Sequence, residues 1–116
     1  MTFSPIWTDE AAEVYSRLKA QAEKALEGRK KTKKRKSSRQ EGLFKQVKKC
    51  LDLLLENPRH PGLNTYEFRS QANPYSKDEK VFAAYAQQKT PAAYRVFWCY
   101  GPEQGQITII TITSHP

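Results

Sequence analysis

Ala93-Tyr94-Arg95-Val96-Phe97-Trp98-Cys99-Tyr100 and Ile107-Thr108-Ile109-Ile110-Thr111-Ile112-Thr113-Ser114-His115, joined by the short Gly-bounded loop 101–105, decide the fold of this chain. Both runs are rich in β-branched and aromatic residues, and the connection has hairpin length. In an antiparallel pair the start of the first strand lies beside the end of the second, which brings Arg95 and His115 to one sheet edge. A guanidinium beside an imidazole suits a phosphodiester. The consecutive Ile109 and Ile110 break the period-2 alternation and predict a bulge or burial on both faces.

Upstream of this pair the apolar spacing becomes helical. Thr8-Asp9-Glu10 has the form of a helix start, a hydroxyl cap followed by acids in the first turn. Ala11, Val14, Tyr15, Leu18, Ala22, Ala25 and Leu26 then recur every three or four residues, predicting a helix that runs to Glu27 and stops at Gly28. Ser38-Arg39-Gln40-Glu41 is a capping-box pattern at a second helix start. Leu43, Phe44, Val47, Cys50, Leu51, Leu54 and Leu55 carry that helix to Asn57-Pro58. Two apolar stripes with a polar connection predict an antiparallel helical hairpin.

Between hairpin and strand pair, Pro58-Arg59-His60-Pro61-Gly62 reads as a turn and Thr65-Tyr66-Glu67-Phe68 as weakly extended. The polar residues 71–78 read as a surface loop. Lys80-Val81-Phe82-Ala83-Ala84-Tyr85-Ala86-Gln87 is short and turn-bounded, so it reads as a strand despite its alanines. The expected class is α+β, an N-terminal antiparallel helical hairpin packed on a small antiparallel sheet, in a single domain over residues 1–116. That length is enough for one modest core and too short for two.

The net charge of +8 is local. Residues 29–39 hold eight cations and no acid, leaving twelve basic against twelve acidic residues elsewhere. This basic tip attracts polyphosphate by counterion release without reading its sequence. Lys31, Lys33, Lys34, Arg35 and Lys36 are its candidate nucleic-acid contacts, joined by Lys45, Lys48 and Lys49 on the polar face of the second helix as candidate phosphate contacts; the resemblance described below makes that nucleic acid RNA. A merely solvated surface is the competing explanation for both groups. No run reaches the roughly 18 apolar residues of a membrane span, and no export signal opens the chain, so a cytoplasmic location is expected. Cys50 and Cys99 sit in apolar patterns and read as buried free thiols. No metal and no cofactor is expected, since Cys50, His60, Cys99 and His115 match no zinc spacing.

The order of these elements, with Leu55-Glu56-Asn57-Pro58, Gly62-Leu63-Asn64-Thr65-Tyr66, Tyr94-Arg95-Val96-Phe97 and Ser114-His115 in succession, resembles the RelE/ParE superfamily of bacterial type II toxin–antitoxin systems over residues 43–116. The resemblance implies a toxin silenced by a cognate antitoxin protein. Its RelE branch implies a metal-independent, ribosome-dependent mRNA endoribonuclease contacting messenger and ribosomal RNA. Its ParE branch implies instead a nonenzymatic inhibitor directed at DNA gyrase. For the nuclease, in-line attack by a ribose 2'-hydroxyl needs charge stabilisation and proton transfer. Arg95 matches the family's strand arginine, with a fork suited to phosphate oxygens. His115 stands where relatives place a terminal acid or base, and Tyr85 is the polar group on its strand. Tyr66 and Tyr94 are candidates for base stacking, with core packing as the alternative. An ordinary ion pair with an acid such as Glu67 is the alternative role for Arg95. The strand bearing Tyr85 lacks the extra Lys, Arg or Glu common in nuclease members.

Overall fold

A computed structural model describes residues 2–33 and 38–114. Strand β1 (Ser4–Trp7) leads into helix α1 (Asp9–Lys31), and α2 (Arg39–Glu56) returns antiparallel to it. A single 3-10 turn, Pro61–Leu63, then precedes β2 (Tyr66–Glu67), β3 (Phe82–Tyr85), β4 (Tyr94–Tyr100) and β5 (Gln106–Ser114). The five strands form one sheet in the order β1-β5-β4-β3-β2. The α+β reading and the helical hairpin hold. Strands β2 to β5 are antiparallel neighbours as expected, while β1, which carries no strand signal of its own, adds parallel to β5 from Ser4↔Gln106 to Trp7↔Ile109.

Both helix starts form as their sequences dictate. The Thr8 hydroxyl accepts from Ala11 N at 3.1 Å. Ser38 and Glu41 complete a reciprocal capping box, with Ser38 N donating to Glu41 Oε2 at 2.7 Å and Glu41 N to Ser38 Oγ at 3.3 Å. The first helix does not stop at Gly28. It continues to Lys31, and Thr32 N closes it by donating to Gly28 O at 3.2 Å. An isolated glycine costs a helix only about 1 kcal/mol, and a tertiary contact holds the added turn: Arg29 Nη2 lies 2.8 Å from Glu41 Oε1 on α2.

The core lies between the hairpin and one face of the sheet. Leu18 of α1 and Val47, Cys50, Leu51 and Leu54 of α2 pack against Ala84, Val96, Trp98, Ile107, Ile109 and Ile112. Trp98 and Leu54 are fully buried there; burial of a side chain such as Leu54 contributes about 1.5–3 kcal/mol. Beyond Ala22 no residue of α1 is buried, so the last nine residues of that helix project past the core. The opposite face carries a smaller cluster, Val81, Ala83, Phe97, Cys99 and Ile110, with Tyr66 and Phe68 against it.

The anomaly at Ile109-Ile110 is a bulge. Phe97 pairs with Thr111 and Trp98 with Ile109, so Ile110 is the unpaired residue and alone of the two isoleucines turns to the second face. The polar loop after β2 crosses that face, anchored where Tyr75 Oη meets Thr108 Oγ1 at 2.8 Å and Thr108 Oγ1 donates to Gly101 O at 2.9 Å. Both cysteines are free and buried, Cys50 on α2 and Cys99 on β4. Burial pushes their thiols up to about 12 and about 11, so neither is a nucleophile at neutral pH.

Candidate functional site

Alternation along β4 sorts its residues between the two faces. Tyr94, Val96 and Trp98 turn to the helices, and Arg95, Phe97 and Cys99 turn away from them. Strand β4 is central, not marginal, so Arg95 lies at the start of an interior strand rather than at a sheet edge. It is opposite Tyr85 of β3 on one side and Thr113 of β5 on the other. Across β3, Tyr66 of β2 faces Ala83, whose methyl group leaves space for the larger rings around it.

The result is a guanidinium enclosed by aromatic rings. Arg95 is 3% exposed, and its Cζ lies 5.3 Å from the ring centroid of Phe97, 5.7 Å from Tyr66, 5.9 Å from Tyr85 and 6.0 Å from Phe68. The rings also contact one another, Phe68 with Phe97 at 4.7 Å and Tyr66 with Tyr85 at 5.7 Å. Among the described residues neither Arg95 Nε nor Tyr66 Oη, both buried, has a hydrogen-bond partner. Among the described residues no carboxylate lies within ion-pair distance of Arg95. Glu67, its alternative partner, bonds Arg69 Nε at 3.3 Å instead. Burial lowers the Arg95 pKa, but an arginine starts so far above neutrality that the group stays charged. Ring quadrupoles offset part of the desolvation cost, about 0.5–2 kcal/mol for a good contact, and leave the hydrogen-bonding capacity of Nε unused.

Tyr85 and Tyr66 therefore belong to the site, whereas Tyr94 turns to the opposite face and packs partly buried against the helix-side core. Phe68 and Phe97 were not anticipated as site residues; the readable signal was that Phe97 lies two positions from Arg95 and so shares its face. His115 lies outside the described residues. Its neighbours Thr113 and Ser114 are in register with Arg95 and Tyr94.

Tyr85 also lines an open cleft of about 620 Å³ between α2 and the sheet, together with Gln46, Lys49, Cys50 and His60. Lys49 is therefore on the helix side of the sheet, opposite the face to which Arg95 turns. Lys45 is exposed, as is Lys48, which pairs with Asp52 at 2.9 Å. Lys31 and Lys33 are exposed at the hairpin tip, and Lys34, Arg35 and Lys36 lie outside the described residues. Arg29 does not belong to a free cationic tip, because its side chain is bonded to Glu41.

Three solved structures share this arrangement of elements over nearly their whole lengths. The YoeB dimer from Staphylococcus aureus superposes with a TM-score of 0.60 over 100% of both chains at 10% identity. The chain has the RelE/ParE fold. A YoeB/ParE toxin from Agrobacterium tumefaciens gives a TM-score of 0.58 over 97% of this chain and 99% of that one, at 8% identity. The archaeal RelE–RelB complex from Pyrococcus horikoshii gives 0.56 over 98% and 96%, at 11% identity. No protein-family model matches the sequence, and no curated protein matches it.

Proposed function

We propose that this RelE/ParE-fold chain is the toxin of a toxin–antitoxin pair, acting on RNA at the ribosome with Arg95 as its phosphate anchor. The observation that carries the reading is Arg95 itself: a buried guanidinium with an unused Nε donor, no carboxylate neighbour among the described residues and a wall of rings. A charge kept in that setting without a protein counter-ion is best accounted for by an anionic ligand. Tyr66 and Phe68 are half-buried and sit at and just beyond a two-residue edge strand. They are the rings an incoming nucleotide displaces, and a base stacked between aromatic side chains replaces the packing that those rings give up. Tyr85 and His115 are the proposed proton-transfer groups. Lys31, Lys33, Lys34, Arg35, Lys36, Lys45, Lys48 and Lys49 supply long-range attraction to ribosomal and messenger RNA.

One observation favours the second reading, a nonenzymatic ParE-like inhibitor. Strand β3 offers only Phe82, two alanines and Tyr85, so among its residues Tyr85 alone can exchange a proton. Translation of a reporter message with purified protein separates the two. The nuclease reading requires the message to be cut in the presence of ribosomes. Intact message together with growth arrest, and inhibition of gyrase supercoiling, would establish the inhibitor.

A further inference from the structure

In the cleft between α2 and the sheet the side-chain acceptors are already engaged, while the donors are not. The cleft takes in about 620 Å³ and is lined by Gln46, Lys49 and Leu53 of the helix, by the turn that starts at His60, and by Tyr85 and Gln88 at and beyond the end of β3. His60 caps that turn: its Nδ1 accepts from Gly62 N at 2.9 Å, which places the ring proton on Nε2. Gln88 braces the same turn, with Nε2 donating to Gly62 O at 2.8 Å and Oε1 accepting from Asn64 Nδ2 at 2.6 Å. On the helix wall Gln46 Oε1 accepts from Gln87 Nε2 at 3.1 Å, and Gln87 Oε1 accepts from Tyr94 N at 3.1 Å. This chain of amides fixes the orientation of Gln46 and leaves its NH₂ group uncommitted. Gln46 Nε2, Lys49 Nζ, His60 Nε2 and the Tyr85 hydroxyl remain as donors, and among the described residues none of them has a partner. The lining contains no acid. Its apolar part is made by the buried Cys50 and Leu63 together with Leu53 and Ala86.

We infer that this cleft binds a small phosphate monoester with an apolar body, of the nucleoside monophosphate class. Donors without free acceptors or carboxylates select an anion. A phosphate monoester has three terminal oxygens and can meet Lys49, His60 and Gln46 together, whereas a carboxylate has two. The apolar part of the lining calls for an organic body beside the anion, and the volume falls in the roughly 300–1,000 Å³ range of small-molecule sites. The base lies against Leu53, Leu63 and Ala86. The cleft stands apart from the Arg95 pocket, because Cys50 and Leu63 belong to the helix-side core and Arg95 turns to the other face. Its occupancy is therefore independent of any chemistry at Arg95.

Calorimetric titration of the purified full-length protein with adenosine 5'-monophosphate tests the site. Saturable binding is expected, with adenosine and inorganic phosphate each weaker by roughly tenfold or more. Lys49→Gln and His60→Asn should each weaken binding of the nucleotide roughly tenfold. Asparagine can still accept from Gly62 N through its side-chain oxygen, so His60→Asn removes the Nε2 donor and keeps the turn, and Lys49 is exposed and can be replaced without loss of the fold. Lys24→Gln removes the same charge from an exposed position on α1 outside the lining and should leave the affinity in place. In ¹H–¹⁵N spectra the nucleotide should shift the Gln46 side-chain amide and the Gly62 amide. Absence of saturable binding, equal weakening in Lys24→Gln, or adenosine or inorganic phosphate binding as tightly as the nucleotide would each overturn the site. So would displacement of the nucleotide by an equal concentration of an oligoribonucleotide without terminal phosphates, which would make the cleft part of a path for RNA.

Discussion

Thr8 and Ile110, 102 residues apart, are joined by a 2.6 Å hydrogen bond from the Thr8 hydroxyl to the Ile110 carbonyl. The same hydroxyl oxygen accepts from Ala11 N at 3.1 Å, and Thr8 N donates to Ile109 O at 3.2 Å. One side chain therefore caps α1 and satisfies the carbonyl that the β5 bulge leaves unpaired. Thr8→Val, similar in shape but without the hydroxyl, should lower stability by about 1–2 kcal/mol, while Thr8→Ser should retain most of it. Urea midpoints of the three proteins check this, and equal midpoints would remove the hydroxyl from the account.

Glu41 links the two helices at the connected end of the hairpin. Hydrogen bonds from Arg29, then from Ser38 N, hold its carboxyl at about 2, below the ordinary 4.5. A folded-state value below the unfolded one means that the carboxylate contributes stability above pH 4.5, and that the contribution is lost as pH falls towards 2. Wild type should lose stability over that window more steeply than Glu41→Gln. Denaturation midpoints at neutral pH and at about pH 3 give the comparison; parallel pH profiles would show that Glu41 is not the group responsible.

Arg95 should be costly to the fold and necessary to the activity. Arg95→Met, which fills the ring-lined site without a charge, should raise unfolding free energy by about 1 kcal/mol or more and abolish growth arrest. Arg95→Lys should recover little toxicity, since an ammonium lacks the planar fork. A fully toxic Arg95→Met protein would overturn the anchor assignment.

Tyr85 and His115 are separable from Arg95 by kinetics. If they move protons, Tyr85→Phe and His115→Gln should each slow single-turnover RNA cleavage by roughly two to four orders of magnitude, with ribosome binding little altered. Cleavage at the wild-type rate removes the substituted group from the mechanism.

The hairpin tip should contribute affinity only. Replacing Lys31, Lys33, Lys34 and Arg35 with Gln should weaken ribosome binding and reduce the slope of log affinity against log salt by up to about 3. The fold should survive, because the described members Lys31 and Lys33 are exposed. An unchanged slope would mark the tip as a solvated surface.

Local chemistry was legible wherever its signal is contiguous. Thr8 and the Ser38–Glu41 box start their helices as short-range hydrogen-bonding patterns require, and the bulge was visible in Ile109-Ile110 because two adjacent apolar residues cannot both follow a period of two. Arg95 was singled out through its strand, and Tyr85 as the polar group of another. The rings around Arg95 were not legible as a group: Tyr66, Phe68, Tyr85 and Phe97 come from separate segments, and no local pattern joins them.

The sequence by itself determined the helix starts, the hairpin and the β4–β5 pairing, because each depends on residues within one turn, one period or one loop. Only the tertiary structure decided that β1 joins the sheet parallel to β5, that α1 passes through Gly28, and that Arg95 is enclosed by rings rather than paired with Glu67. Those outcomes depend on which surfaces meet after collapse: Ser4 reaches Gln106, Arg29 reaches Glu41, and Tyr66 and Phe68 close over a cation on a strand that follows them by more than twenty residues. Burial and charge pairing between distant segments set their energies, and neither leaves a periodic trace along the chain.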